Sequence, residues 1–228
     1  MIYIKAIIGC LFQIVFFGIL LLVPTPEWRW PEAELFLKIY FFTIIISAIV
    51  LSKLKQKAME SRLRSPIAKK QSKKDKIAFL ILFISMVSNI LLIPIDKFYI
   101  QNFNELSNLT ISFGIIMFSM GYILSTITII QNEFASTHVE IQNYKGHRLI
   151  DKGLYSYVRH PMYSSFFIFF CGMSLMLGSI LASIYSLTIL VITFIPRILN
   201  EEEELKNDLK GYNEYCKKVK YRIIPFIY

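Results

Sequence analysis

Cysteine is scarce in this sequence, and its positions do not form pairs. The 228 residues include three cysteines, Cys10, Cys171 and Cys216, which lie far apart along the chain. A structural zinc site needs closely spaced thiol or imidazole ligands, and a disulfide framework needs an even number of cysteines. The cysteine pattern argues against both and implies no redox role.

Charged residues are also few, at 18% of the chain, and they are nearly absent from its long apolar runs. Hydrophobic residues make up 55%, more than a soluble core of this size can bury. Four runs, 2–23, 35–51, 77–95 and 109–130, each approach the roughly 20 residues that cross a bilayer. The first ends at prolines without a small-residue cleavage pattern, which favours a membrane anchor over a cleaved signal peptide.

A fifth apolar segment, 162–196, is too long for one helix and is interrupted by Gly172, Gly178 and Ser179. It predicts two short helices joined by a tight turn. The fold class that follows is all-α: a polytopic transmembrane helical bundle of four spanning helices and a C-terminal helical hairpin.

The basic residues predict how this bundle is oriented. The net charge of +9 would suit nucleic acid, but ten Lys and Arg fall between Lys53 and Lys76, in one stretch between two apolar runs. This is typical of a cytoplasmic loop under the positive-inside rule, so no nucleic-acid partner is predicted. The polar segment 131–163 and the chain after Pro196 then share the cytoplasmic face. Trp28 and Trp30 fall in an interfacial belt on the other face.

The three histidines, His138, His147 and His160, all fall in the polar segment between two membrane portions. Their intervals of nine and thirteen residues do not suit a metal, and we predict no metal site. Pro161, directly after His160, is placed to open a helix, where its missing N–H costs nothing. The local alternative is an interfacial helix start anchored by Tyr and Arg side chains.

A second polar group of residues follows the hairpin. Asn200 can cap a helix whose first turn holds the glutamates 201–204, which would complement the positive end of the helix dipole. Four acids exceed that need, and an acidic patch beside a membrane also suits a cationic ligand. Arg197, at the end of an apolar run, is placed to meet an anion.

Together these residues resemble the isoprenylcysteine carboxyl methyltransferase family in order and nearly in spacing. The resemblance covers about 95 residues, between Phe134 and Phe226. The Arg159-His160-Pro161-Met162-Tyr163 element alone also occurs in phospholipid N-methyltransferase relatives, whereas the whole string is more specific. Its further members are His138, Gln142, His147, Leu149, Gly153, Tyr155, Arg197, Glu201, Tyr212, Tyr215 and Pro225.

The resemblance implies an enzyme that uses S-adenosyl-L-methionine in a pocket at the cytoplasmic face. It implies a division into residues 1–130, four transmembrane helices with the basic loop 53–76, and residues 131–228, a catalytic core. Arg197 would position the acceptor carboxylate, and His138 would be either a structural hydrogen-bonding group or a substrate contact. The residues implied to contact the cofactor are Gln142, His147, Arg148, Leu149, Ile150, Tyr155, His160, Pro161, Met162, Tyr163 and Glu201.

The hypothesis is therefore carboxyl O-methylation of a prenylated cysteine or a similar amphiphile that enters from the lipid. One alternative keeps the cofactor but methylates a phospholipid amine or a small thiol, and an amine would need a base to take its proton. Another is a membrane scaffold or transporter, which would favour ionisable groups inside the spanning helices. The membrane would be the plasma or inner membrane in a bacterium and the endoplasmic reticulum in a eukaryote. No feature of the sequence points to an oligomeric state.

Overall fold

The computed structural model describes residues 2–26, 29–63, 73–100, 106–134 and 148–227, and these form helices and no strands. The helices are α1 (Ile2–Leu22), α2 (Pro31–Leu54), α3 (Gln56–Arg62), α4 (Lys73–Ile95), α5 (Asn108–Gln131), α6 (Pro161–Met176), α7 (Ile180–Asp208) and α8 (Tyr212–Lys218). A π-helical turn, Asp96–Ile100, extends α4, and a 3-10 turn, Gly153–Ser156, precedes α6.

Five of these helices, α1, α2, α4, α5 and α7, are long and apolar enough to cross a membrane. The outer face of α1 is apolar throughout: Ile4, Ile7, Leu11 and Val15 are each more than half exposed. Such a surface is stable in lipid, where each helix satisfies its own backbone hydrogen bonds. The chain is thus an integral, multi-pass membrane protein, and the predicted polytopic helical bundle is confirmed.

The centre of the bundle is an aromatic cluster shared by three helices. Phe36 and Tyr40 of α2 pack on Phe118 of α5, with the ring centroids of Phe36 and Phe118 5.2 Å apart. Phe169 of α6 contacts the same group, 4.9 Å from Phe118. Because offset and edge-to-face rings interlock, the cluster fixes how these helices meet.

The predicted hairpin is present, with its turn at Gly178 and Ser179, where Gly178 adopts a φ of +86° that favours glycine. Gly172, predicted to interrupt the segment, instead lies inside α6 and faces the backbone of α5. The second helix of the hairpin is long: α7 continues through Pro196 to Asp208. The prediction that Asn200 caps a new helix is therefore wrong, because the glutamates belong to the last turns of α7.

Two further sequence predictions need correction. The described part of the basic stretch 53–76 was predicted to be a loop but is mostly helical. Helix α2 runs to Leu54, α3 follows, and α4 starts at Lys73. Asp75 therefore lies in the first turn of α4. Trp30 does not face the membrane interface but is 1% exposed, with Phe98 packed edge-on at 5.2 Å because the π-helical end of α4 covers it. Trp28 lies outside the described residues.

Candidate functional site

The start of α6, the end of α7 and the C-terminal tail meet on one side of the bundle. Pro161 occupies the first turn of α6, as predicted, and its fixed φ suits that position. Just before it, the backbone N–H groups of Arg159 and His160 donate to the carbonyl oxygens of Tyr221 and Arg222, at 2.9 and 2.8 Å. These two bonds hold the tail beside the start of α6.

Glu202 of α7 ties the three segments together through a buried carboxylate. Its Oε1 accepts a hydrogen bond from Arg159 Nε at 2.7 Å and lies 3.3 Å from His160 Nε2. Its Oε2 lies 3.2 Å from Arg222 Nη2. A carboxylate that is only 2% exposed is costly unless paired, and here the guanidinium groups of Arg159, just before α6, and Arg222, in the tail, pair with it. Glu202 therefore builds the site rather than facing a ligand.

Arg197, one turn earlier on α7, is held from two other helices. Its Nε donates to the Tyr163 hydroxyl oxygen at 2.9 Å, and that hydroxyl donates to Glu201 Oε2 at 3.1 Å. On the α4 side, Arg197 Nη1 lies 3.3 Å from Asp75 Oδ1, and the guanidinium carbon lies 5.6 Å from the centroid of the Phe79 ring. These contacts fix the guanidinium in position. Arg197 as a whole is buried, with 4% of its surface exposed.

The 3-10 turn before α6 is anchored to α5 and α8. The Tyr155 hydroxyl oxygen accepts from Asn132 Nδ2 at 3.0 Å, and the Tyr155 carbonyl accepts from the Tyr215 hydroxyl at 2.7 Å. Burial raises the pKa of Tyr215 and of Tyr212 above the ordinary tyrosine range. Both hydroxyls therefore stay protonated near neutral pH and can donate hydrogen bonds.

A cavity of about 580 Å³ connects these groups with the interior of the bundle. Both Pro161 and Phe170 line it, so it extends roughly two and a half turns along α6. Its polar wall includes Tyr155, Arg197 and Glu201. Its apolar wall is formed by residues of the first five helices, among them Phe17, Ile44, Leu51, Leu82, Phe83, Met86 and Ile129. A ligand with one polar and one hydrocarbon end matches this division.

Most of the residues singled out from the sequence lie around this one cavity. They are Arg148, Leu149, Ile150, Tyr155, His160, Pro161, Met162, Tyr163, Arg197 and Glu201. His138, Gln142 and His147 lie outside the described residues. The cavity wall contains residues both from segment 1–130 and from segment 131–228. Which of them contact a particular ligand stays a prediction.

Two important residues were not singled out by sequence reasoning. Asp75 falls within the basic stretch 53–76 and Glu202 within the acidic run 201–204, so neither stands out by composition. Helical spacing could have separated the roles of Glu201 and Glu202, because adjacent residues of an α-helix point about 100° apart. No local pattern pairs Asp75 with Arg197, since that contact depends on α4 packing beside α7.

Fold and site together define an integral membrane protein, helical in the part of the chain that the structure describes, with a cavity that has one polar and one apolar wall. Residues 114–207 match the isoprenylcysteine carboxyl methyltransferase family. The chain is 33% identical to protein-S-isoprenylcysteine O-methyltransferase B of Arabidopsis thaliana over 118 residues, covering 51% of the chain and 59% of that protein. It is 33% identical over 102 residues to the protein-S-isoprenylcysteine O-methyltransferase of Schizosaccharomyces pombe, covering 44% and 43%.

A shorter match, 33% over 85 residues, is to the delta(14)-sterol reductase TM7SF2 of Mus musculus, covering 36% of the chain and 20% of that protein. The chain thus spans less than two thirds of the length of these relatives.

Proposed function

We propose that this protein is an S-adenosyl-L-methionine-dependent membrane methyltransferase that esterifies the carboxylate of a prenylated cysteine or a similar amphiphile. The observation that carries the proposal is the single cavity that joins Arg197, Tyr163 and Glu201 to an apolar interior. Donor and acceptor arrive from different phases, water and lipid, so that their reaction needs a site at the boundary. The match of residues 114–207 to the isoprenylcysteine carboxyl methyltransferase family supports the same reaction.

The polar wall has the chemistry that the donor requires. When bound, S-adenosyl-L-methionine supplies an electrophilic methyl group on a sulfonium sulfur. The carboxylate of Glu201 suits either that positive charge or a ribose hydroxyl, and Tyr155 and Tyr212 offer aromatic faces beside Leu149. The remaining predicted cofactor contacts, including Gln142 and His147, belong to this proposal.

Arg197 would hold the acceptor carboxylate in line with the methyl group. A carboxylate is already ionised near neutral pH, so this chain has no proton to remove, and His160 is free to serve as a structural partner of Glu202. The protein would then accelerate the reaction by positioning the acceptor carboxylate and by excluding water from the site. Alignment of the two reactants can lower the activation barrier of methyl transfer by several kcal/mol. The hydrocarbon tail would occupy the apolar wall.

The proposal includes an orientation and a division of labour. Residues 131–228 form the catalytic core, and its polar segment 131–163 and the chain after Pro196 face the cytoplasm, because the basic residues at the end of α2 and the start of α4 lie on the same side as the polar end of α7. Residues 1–130 provide the transmembrane helices that enclose the tail. The donor, which is soluble, then enters from the cytosol and the acceptor from the bilayer.

The buried guanidinium favours a carboxylate over the alternative acceptors. Arg197, which is 4% exposed, can donate hydrogen bonds to a carboxylate, whereas it would repel both a protonated amine and the cationic product of amine methylation. A scaffold or transporter would not need the cluster of Arg197, Tyr163 and Glu201 at the end of an apolar cavity.

The deciding experiment is calorimetry of S-adenosylhomocysteine binding to the detergent-purified protein. We expect micromolar binding by the wild type and at least a tenfold loss in Tyr155→Ala and Glu201→Ala, since both residues line the cavity. Tyr157→Ala is the matched control because Tyr157 is 68% exposed and lies two residues from Tyr155. Absence of binding by folded wild-type protein would refute the methyltransferase proposal and favour the scaffold.

A further inference from the structure

Asp75 is an unusual residue for its place in the chain. It lies in the first turn of α4, next to Lys73, Lys74 and Lys76, yet it is 1% exposed. Its Oδ1 lies 3.3 Å from Arg197 Nη1, so that a buried acid from outside the family-matched residues contacts the predicted acceptor-binding arginine. Burying a carboxylate is costly, and a position at the start of a helix and a cationic partner offset that cost.

The geometry places Asp75 behind Arg197 as seen from the cavity. Arg197, Tyr163 and Phe79 line the cavity wall, whereas Asp75 is not among the lining residues that the structure describes. Arg197 Nε donates a hydrogen bond to the Tyr163 hydroxyl oxygen, and Nη1 forms an ion pair with Asp75 Oδ1 at 3.3 Å. The guanidinium is therefore held at two edges by fixed groups, which determines the direction that it can present to a ligand.

The charges near Arg197 have a consequence for the acceptor. Arg197 lies between two carboxylates, Asp75 on α4 and Glu201 one turn further along α7, so its positive charge is already balanced before any anion arrives. An acceptor carboxylate must share the guanidinium with Asp75. In a buried site, where charges are weakly screened, this sharing reduces the affinity for an anion.

Building on the proposed function, we propose that Asp75 is a positioning residue for the acceptor. It holds Arg197 from outside the cavity and, by sharing the charge of the guanidinium, limits how tightly the acceptor carboxylate is bound. If Asp75 is neutralised, the acceptor becomes the missing counter-ion of Arg197. The acceptor then binds more tightly, but the guanidinium, which is now held through Tyr163 and no longer by Asp75, draws the acceptor carboxylate out of line, so transfer slows.

The test compares two ligands in three variants. N-acetyl-S-farnesylcysteine and its carboxamide analogue differ at the group that would meet Arg197, and calorimetry measures the dissociation constant of each. In Asp75→Asn we expect the carboxylate to bind at least threefold more tightly, the carboxamide to be unchanged, and kcat to fall at least threefold. Asp75→Glu, which keeps the charge, is expected to retain the wild-type ratio of carboxylate to carboxamide affinity.

Asp96→Asn is the matched control, because Asp96 is a second buried acid at the other end of α4, bonded by Ser179 at 2.6 Å. It is expected to leave the ligand ratio unchanged. An unchanged ratio in Asp75→Asn, or an equal gain for the carboxamide, overturns the role of Asp75. Carboxylate binding without turnover by the wild type overturns the proposed reaction alone, and absence of binding by folded wild type overturns both.

Discussion

At the scale of single residues, Glu201 and Glu202 show how neighbours of one type take different roles. They are separated by about 100° around α7. Glu201 therefore reaches the cavity and the Tyr163 hydroxyl, while Glu202 faces Arg159 and Arg222. The first is available to a ligand, and the second holds the ends of two helices and the tail together.

Replacing Glu202 by Gln is expected to destabilise the protein by about 3–5 kcal/mol, the cost of removing one partner from a buried ion pair. The substitution keeps the size of the side chain but leaves Arg159 and Arg222 without their shared anion. The measurement is the midpoint of thermal unfolding in detergent, with hydrogen exchange at residues 219–223 as a local probe. We expect exchange to accelerate there, because Glu202 anchors this part of the tail.

The matched control is Glu203→Gln, since Glu203 is exposed and is the next residue on α7. Its unfolding midpoint should stay close to that of the wild type. Equal destabilisation by the two substitutions would mean that the net acidity of the run 201–204, rather than the buried pairing of Glu202, stabilises this region.

The residues of the site could be predicted to different extents. Tyr163, Arg197 and Glu201 were singled out from their resemblance to a family pattern, and in the structure the Tyr163 hydroxyl accepts a hydrogen bond from Arg197 and donates one to Glu201. Asp75 could not be found in this way, because its partner lies more than a hundred residues away in sequence. The contact arises from helix packing, which leaves no signal in local spacing.

At the scale of helices, glycine sets how closely α5 and α6 approach. A Cβ built on Gly172 would lie 2.3 Å from the Phe118 backbone nitrogen, and one on Gly114 would lie 2.4 Å from that of Met176. Gly121 is similarly close to Phe169, at 2.5 Å. In membranes, where helices associate through packing, small residues permit such close contact.

The sequence predicted the hairpin but assigned Gly172 to a break in it. A glycine in an apolar segment can end a helix or allow another backbone to approach, and a uniformly apolar segment has no helical face to distinguish these roles. The continuation of α7 through Pro196 was missed for a related reason. Neighbouring helices in a bundle stabilise a helix across a proline that would end it in isolation.

Gly172→Ala is expected to lower the stability of the bundle by about 1–3 kcal/mol, the range typical of overpacking. The added methyl group must push backbone away from backbone, so the strain cannot be relieved by a rotamer change. Thermal unfolding in detergent measures the effect. Gly18→Ala on α1 is the control, because a Cβ there meets nothing within 4 Å and is expected to be neutral or slightly stabilising. A stable Gly172→Ala protein would show that α5 and α6 can separate without cost.

At the scale of the whole molecule, the site lies where the two halves of the chain meet. The sequence predicted a site at the boundary between the membrane and the cytoplasm. This prediction followed from composition, because the polar segments of an otherwise apolar chain are expected on one face of the membrane. The shape of the cavity did not, because it depends on how α1, α2 and α4 pack around α5 and α6. Apolar segments of similar composition can surround a groove or fill it, and only side-chain packing decides between them.

If the apolar wall holds the hydrocarbon tail of the acceptor, filling it must affect the acceptor without affecting the donor. Ala48 of α2 lines the cavity on this wall, whereas the next residue, Ile49, is 50% exposed on the lipid-facing side. Ala48→Trp is therefore expected to raise the KM for N-acetyl-S-farnesylcysteine at least tenfold, since displaced hydrocarbon forfeits about 0.8 kcal/mol per buried methylene. The affinity for S-adenosylhomocysteine should change less than threefold, because Tyr155 and Glu201 are on the polar wall.

Ile49→Trp is the control, since it adds a tryptophan of the same size toward lipid, and it should leave both the KM for N-acetyl-S-farnesylcysteine and the affinity for S-adenosylhomocysteine near wild type. Loss of donor and acceptor binding together in Ala48→Trp would mean that the two walls do not hold separate ligands, and an unchanged KM would place the tail outside this cavity.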